Sequence, residues 1–161
     1  MRRSLAALLS VIAALLAGTP ARAEPGPGQR SSVKAQADSI MGMTYDAFDR
    51  YSRFRVAPFN WTSDGCSYTP PAWADLFRRP CNQHDFGYWN YGHSDGQRGL
   101  ELGVNENTRA WIDHRLLQEM VRLCNDKYSA WWRRPNKVAC LDEAGVMYGA
   151  VRNLGRSAYY H

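Results

Sequence analysis

CNQHDFGYWNY, residues 81–91, sets Cys81, His84, Tyr88 and Tyr91 at spacings of three and four, so all four fall on one face of an α-helix. A histidine on such an inward-facing stripe is informative, because a buried polar ring needs a hydrogen-bond partner. A second helical run, Thr108 to Cys124 with Asn107 as its expected N-cap, carries an equally odd residue. Asp113 lies between Ala110 and Leu117 on a stripe continued by Met120, Val121 and Cys124. An unpaired buried carboxylate is costly, so Asp113 needs a donor, and a histidine on a facing helix is the obvious candidate. Such a carboxylate fixes the imidazole tautomer and supports the imidazolium formed when the ring takes a proton. The plainer reading is a core histidine whose aspartate closes a structural hydrogen bond.

Outward from this pair, further helices are expected. One is a short segment from Val33 to Met41. Another follows Thr44, a plausible N-cap, and shows Tyr45, Phe48, Tyr51 and Phe54 at near-helical spacing. A last run, Lys137 to Leu154, places Cys140, Ala144, Met147, Val151 and Leu154 on one face, with Gly145 and Gly149 expected to permit close helix contact. Ala57 to Pro80 reads instead as a long loop held by Cys66, since Pro58, Gly65, Pro70, Pro71 and Pro80 argue against a long helix. Gly92 to Asn107 is polar and glycine-rich, a surface connection. No hairpin signal or internal repeat is present, so the expected fold class is all-α.

The first residues, MRRSLAALLSVIAALLAGTPARA, have the form of a secretory signal peptide over 1–23: Arg2 and Arg3, an apolar run from Leu5 to Ala17, then small residues at Ala21 and Ala23. The apolar run falls short of the roughly 18 residues that span a bilayer, and no transmembrane segment is expected elsewhere. Glu24 to Ser32 reads as a flexible leader, and 33–161 as one domain, secreted to the extracellular space. Loss of Arg2, Arg3 and Arg22 takes the formal net charge from +5 to +2, far from the dense basic clustering of a nucleic-acid binder. Four cysteines, Cys66, Cys81, Cys124 and Cys140, argue for two disulfides in an exported chain. Three pairings are open; Cys66 with Cys81 and Cys124 with Cys140 would each close a loop of ordinary length. A zinc site competes weakly, since no C-x-x-C pair exists.

Asp85 adds a second chemistry. Adjacent helical residues point about 100° apart, so Asp85 can line a different side of the helix from His84. Its carboxylate can join that of Asp64 if Cys66 is bridged to Cys81. Two carboxylates with loop carbonyls are hard oxygen ligands suited to Ca²⁺, and Gly65 can turn its own carbonyl inward. Taken alone, Asp64 would be an ordinary turn residue.

FNWTSDGC (59–66), CNQHDFGYWNY (81–91) and the aspartate of WIDHRLLQEMVRLC (111–124) together resemble the calcium loop and catalytic helices of secreted phospholipase A2, in its compact bacterial and fungal branch. The likeness runs from about Phe59 to Cys140. It implies a small disulfide-stapled domain with two antiparallel catalytic helices and a calcium-binding loop. It also implies calcium-dependent hydrolysis of the sn-2 ester of glycerophospholipids, giving a lysophospholipid and a fatty acid. In that resemblance His84 deprotonates the attacking water and Asp113 holds the ring. Ca²⁺ is held by the side chains of Asp64 and Asp85 and the Gly65 carbonyl. The substrate is a phospholipid at a membrane or micelle surface, and the protein is expected to act as a monomer. The chain departs from the venom and pancreatic relatives in having Gln83 before His84 and only two possible disulfides. The long connection after Tyr91 also makes Asp95 a fallback partner for His84.

Trp131-Trp132-Arg133-Arg134 joins amphipathic rings to cations, which suits a membrane interface, although rings folded back onto the core are an equal reading. Trp61, Trp73 and Trp89 suit either an acyl-chain slot or the core. Tyr88 and Tyr91 are expected to hydrogen-bond behind the His/Asp pair, and His93, His114 and His161 to be solvated. A non-catalytic binding or toxin-like module on the same scaffold is the competing function. A metallophosphohydrolase of the His-Asp type would need a histidine upstream of His84, and none exists.

Overall fold

The structure, a computed structural model, describes residues 26–67, 69–93 and 99–161. The expected signal peptide over 1–23 and the fallback Asp95 lie outside the described residues. The chain forms α1 (Pro27–Met41), α2 (Tyr45–Ser52), α3 (Pro71–Tyr91), α4 (Glu106–Lys127), a 3-10 turn over Trp131–Arg133, α5 (Arg134–Leu154) and α6 (Arg156–Tyr160). The fold is all-α, with no strand among the described residues.

Several boundaries differ from the sequence reading for identifiable reasons. Pro70 and Pro71, read as breakers, start α3: Pro71 occupies the first turn, where its missing N–H has no intrahelical partner to lose. Pro80 sits inside the same helix and denies one bond to the Leu76 carbonyl. The helix continues because Phe77, Pro80 and Cys81 are all buried. Asn105, not Asn107, caps α4: its side chain accepts from the Thr108 amide at 3.0 Å. Thr44 caps α2 as expected, accepting from Ala47 N at 3.2 Å, but that helix ends at Ser52 and Phe54 lies beyond it, exposed. α1 begins at Pro27, within the stretch read as leader, with its first residues exposed and its buried Ala37, Ile40 and Met41 at the far end. α5 begins three residues early at Arg134, with a proline in its first turn.

α3 and α4 run antiparallel through the middle of the molecule. Two groups of buried side chains flank the stretch where they cross. Phe77, Cys81, Leu116, Met120, Cys124, Cys140 and Ala144 form one, which joins α3, α4 and α5. Ile40, Phe48, Phe59, Phe86, Ile112 and Tyr159 belong to the other, which draws in α1, α2 and α6. Within the second group the two long helices come close at Gly87, where an added Cβ would lie 2.6 Å from Ile112 Cγ2 and 3.1 Å from Met41 Cε. Gly145 and Gly149 do not serve this purpose, because nothing lies within 4 Å of a Cβ at either. The C-terminal carbonyls of α1 and its exit are met by side chains: Gln83 donates to Met41 O at 3.1 Å and Met43 O at 2.8 Å. Arg115 donates to the same two oxygens at 3.1 and 2.9 Å.

Both disulfides form between sequence neighbours, Cys66–Cys81 with Cα atoms 5.3 Å apart and Cys124–Cys140 at 5.8 Å. The first ties the loop before α3 to the middle of that helix; the second ties the end of α4 to α5.

Candidate active site

His84, buried on α3, donates from Nε2 to Asp113 Oδ1 on α4 at 2.9 Å. Asp113 is fully buried and, once ionised, can only accept hydrogen bonds. The shared proton therefore sits on Nε2, which leaves Nδ1 as the basic nitrogen of the ring. The Tyr88 hydroxyl, one turn along α3, donates to the same carboxylate oxygen at 2.7 Å. Its ring lies against the imidazole with centroids 4.2 Å apart. The phenol is held well above its usual range by burial, with the Asp113 charge acting in the same direction.

The second carboxylate oxygen meets two arginines that sequence reasoning did not single out. Arg152 on α5 donates from Nη1 to Oδ2 at 2.7 Å, and Arg109, one turn before Asp113, from Nη1 at 3.3 Å. Both guanidiniums also bond Glu106: Arg109 at 2.9 and 3.0 Å, Arg152 at 2.6 Å. Burial alone would raise the Asp113 pKa, but the donors at His84, Arg152 and Tyr88 outweigh it and hold the carboxyl below its ordinary range. Glu106, exposed, is lowered to about 2 by Arg109 and Arg152. The sequence did hold a signal, since Glu106, Arg109 and Asp113 stand three and four apart on one helix face. Arg152, 39 residues beyond Asp113, left none.

On the neighbouring side of α3, Asp85 Oδ2 accepts from Ser63 Oγ at 2.7 Å and from the Gly65 amide at 3.0 Å. Gly65 holds a φ of +72°, the left-handed conformation that favours glycine. Ser63 Oγ also lies 2.7 Å from Asn82 Oδ1, so its single proton is shared between that oxygen and the Asp85 carboxylate. Burial pushes the Asp85 carboxyl up to about 6 against the lowering effect of Ser63, and the nearby negative charge of Asp64 adds to the rise. No Lys or Arg among the described residues forms an ion pair with it. A cavity of about 380 Å³ opens here, lined by Ser63, Asp64, Gly65, Cys66, Arg78 and Asn82 among others. Among the described residues no group of three or more His, Cys, Asp and Glu side chains gathers to hold a metal. Two carboxylates at a loop bearing backbone oxygens are thus the available charged donors, and a desolvated carboxylate facing a like charge suits a hard cation.

Other expected residues fall elsewhere. Tyr91 does not back the His/Asp pair: its hydroxyl donates to Asp38 on α1 at 2.6 Å. His93 is partnered rather than merely solvated, with Nδ1 3.2 Å from Glu101 Oε1. His114 and His161 are exposed. Trp61 stacks into the aromatic group of Phe48, Phe59 and Phe86, 4.7 Å from the last, and Trp73 packs against the α3–α4–α5 core. Trp131 and Trp132 do not fold back onto the core; they stand 83% and 66% exposed.

The family model for prokaryotic phospholipase A2 matches residues 38–155, and the chain belongs to that family. A protein named secretory phospholipase A2, from Beauveria bassiana (strain ARSEF 2860), is 29% identical over 97 residues, which is 60% of this chain. The match covers 44% of that relative, so the chain spans less than half its length.

Proposed function

We propose that this protein is a secreted, calcium-dependent phospholipase A2 that hydrolyses the sn-2 ester of glycerophospholipids with a histidine-activated water. The observation that carries the reading is the buried 2.9 Å bond from His84 Nε2 to a fully satisfied Asp113, with the desolvated Asp85 carboxylate next to His84 in the chain and unpaired with any Lys or Arg among the described residues. His84 removes a proton from water at Nδ1 as the water oxygen attacks the ester carbonyl. Asp113 holds the ring in place and stabilises the imidazolium, whose proton passes to the departing lysophospholipid oxygen as the acyl C–O bond breaks. No serine or cysteine nucleophile is needed; the cysteines of the site are disulfide-bonded.

Asp64 and Asp85, through their side chains, and Gly65, through its carbonyl, are the residues that would hold Ca²⁺. Bound there, the ion supplies positive charge for the lipid phosphate and for the oxyanion that develops at the ester. Ser63 and the Gly65 amide orient the Asp85 carboxylate, and the Cys66–Cys81 bridge keeps the loop beside α3. Export is supported by the two disulfides. Among the described residues no helix is long and apolar enough to cross a membrane.

The test is fatty-acid release from phosphatidylcholine vesicles by oxidised protein, with calcium and with a chelator. Release with calcium and its loss with chelator are expected, and Asp85→Asn should raise the calcium required by an order of magnitude or more. Absence of turnover under both conditions would contradict the reading.

A further inference from the structure

We propose that Arg152 is a positioning residue for the His84–Asp113 pair, reaching from α5 to hold the Asp113 carboxylate rotated with Oδ1 on the imidazole. The inference rests on the reading of His84 as the base. A carboxylate bonded only through Oδ1, to His84 and Tyr88, would leave Oδ2 buried without a strong donor and free to exchange places with it by rotation about Cβ–Cγ. Arg152 removes that freedom with a charge-assisted bond of 2.7 Å to Oδ2. Arg109 contributes at 3.3 Å, a weaker contact, and is occupied elsewhere: its guanidinium bonds Glu106 and the backbone oxygens of Val151 and Arg152, each of the latter at 3.3 Å. The division of labour follows. Arg109, with a 4% exposed side chain, ties α4 to the last turn of α5; Arg152, on that same turn and 26% exposed, returns a guanidinium to the carboxylate.

Two further contacts make the end of α5 part of the same assembly. Arg152 Nη2 bonds Glu106 Oε1 at 2.6 Å, so its planar fork is held at both ends. A Cβ at Gly155, just past α5, would lie 2.8 Å from the Tyr88 hydroxyl, so the chain closes tightly on the back of the pair. Glu106 and Asp113 balance the two guanidiniums, so the ring faces a cluster with no net charge rather than an isolated anion or a cationic patch. Placement, not neutralisation alone, is then what a substitution at Arg152 disturbs.

The experiment compares wild type, Arg152→Gln and Arg152→Lys on a monomeric short-chain phosphatidylcholine at saturating calcium, with thermal melting and ¹⁵N–¹H NMR of the histidine rings. Arg152→Gln should lower kcat by about tenfold to a hundredfold, with KM little changed, since sub-ångström misplacement of a catalytic group acts on the chemical step. Arg152→Lys should recover part of that loss, and the His84 Nε2–H signal, single in wild type, should broaden or split in the glutamine variant. The NMR readout is independent of turnover. Unchanged kcat and an unchanged Nε2–H signal in Arg152→Gln, with His84→Ala inactive, would overturn the positioning role while leaving the base intact. Turnover by His84→Ala would instead remove the base itself. A loss of kcat that follows the melting temperature and is not relieved by lysine would assign Arg152 a purely structural role and also overturn the proposal.

Discussion

Asp113 takes no exposure to solvent, yet its carboxylate meets His84, Tyr88, Arg109 and Arg152 at 2.7 to 3.3 Å. Four donors convert what would be a desolvation cost into a fixed anion. Because its folded pKa lies below the unfolded value, the stability it contributes is complete above the ordinary carboxylate range and is lost as pH falls through the folded value. The melting temperature of wild type should therefore drop on acidification below about pH 4, and Asp113→Asn should show a shallower drop across the same range. An equal slope in both proteins would mean that other carboxylates govern the acid limb. At this scale the sequence was informative where a residue contradicted its surroundings. His84 and Asp113 could be found because an ionisable group on an apolar stripe demands a partner. Tyr91 was assigned the wrong partner because a shared helix face does not say which neighbouring helix covers it: Asp38 arrives from α1. Arg152 was invisible for a related reason, since a long-range contact leaves no periodic trace and a surface-type residue on the last turn of a helix looks like any other.

The pair depends on the close approach of α3 and α4 at Gly87. Gly87 stands three residues from His84, and Ile112 directly precedes Asp113, so the tight contact fixes the distance between the imidazole and the carboxylate. Gly87→Ala should destabilise the protein by about 1–3 kcal/mol, the range for forcing a methyl into a packed core, and should lower kcat as the helices separate. Denaturant unfolding checks the first effect, and a variant as stable as wild type would show that Ile112 and Met41 yield without strain. The existence and type of α2, α3, α4 and α5 were legible from apolar spacing, and Thr44 marked the start of α2, whereas the starts of α3, α4 and α5 were not legible. Pro70-Pro71 can end one segment or begin the next, and only the burial of Phe77 and Pro80 decides between them. Asn105 and Asn107 are equivalent as cap residues, and the choice rests on which side chain reaches an amide three positions on. The glycines misled in the other direction: Gly145 and Gly149 suggested a helix contact, but the close approach belongs to Gly87.

As a whole, the molecule is a pair of central helices braced at both flanks by short disulfide loops, one with its cysteines 15 positions apart at the carboxylate-bearing loop and one with its cysteines 16 apart that encloses Trp131 and Trp132. The two rings are mutually edge-on at 5.9 Å and project outward beside Arg133 and Arg134. Amphipathic rings with adjoining cations suit an anionic phospholipid surface, the expected location of the proposed substrate. The double variant Trp131→Ala/Trp132→Ala should bind anionic vesicles about tenfold more weakly or worse, given the apolar area each ring would bury, while turnover of a monomeric substrate stays at the wild-type level. Equal vesicle binding would show that another face docks. The proposed role of His84 as the base is tested most directly by phospholipid turnover of His84→Ala beside wild type, both correctly oxidised and with calcium present. The account predicts a variant that melts like a folded protein and releases fatty acid no faster than buffer; release near the wild-type rate would contradict it.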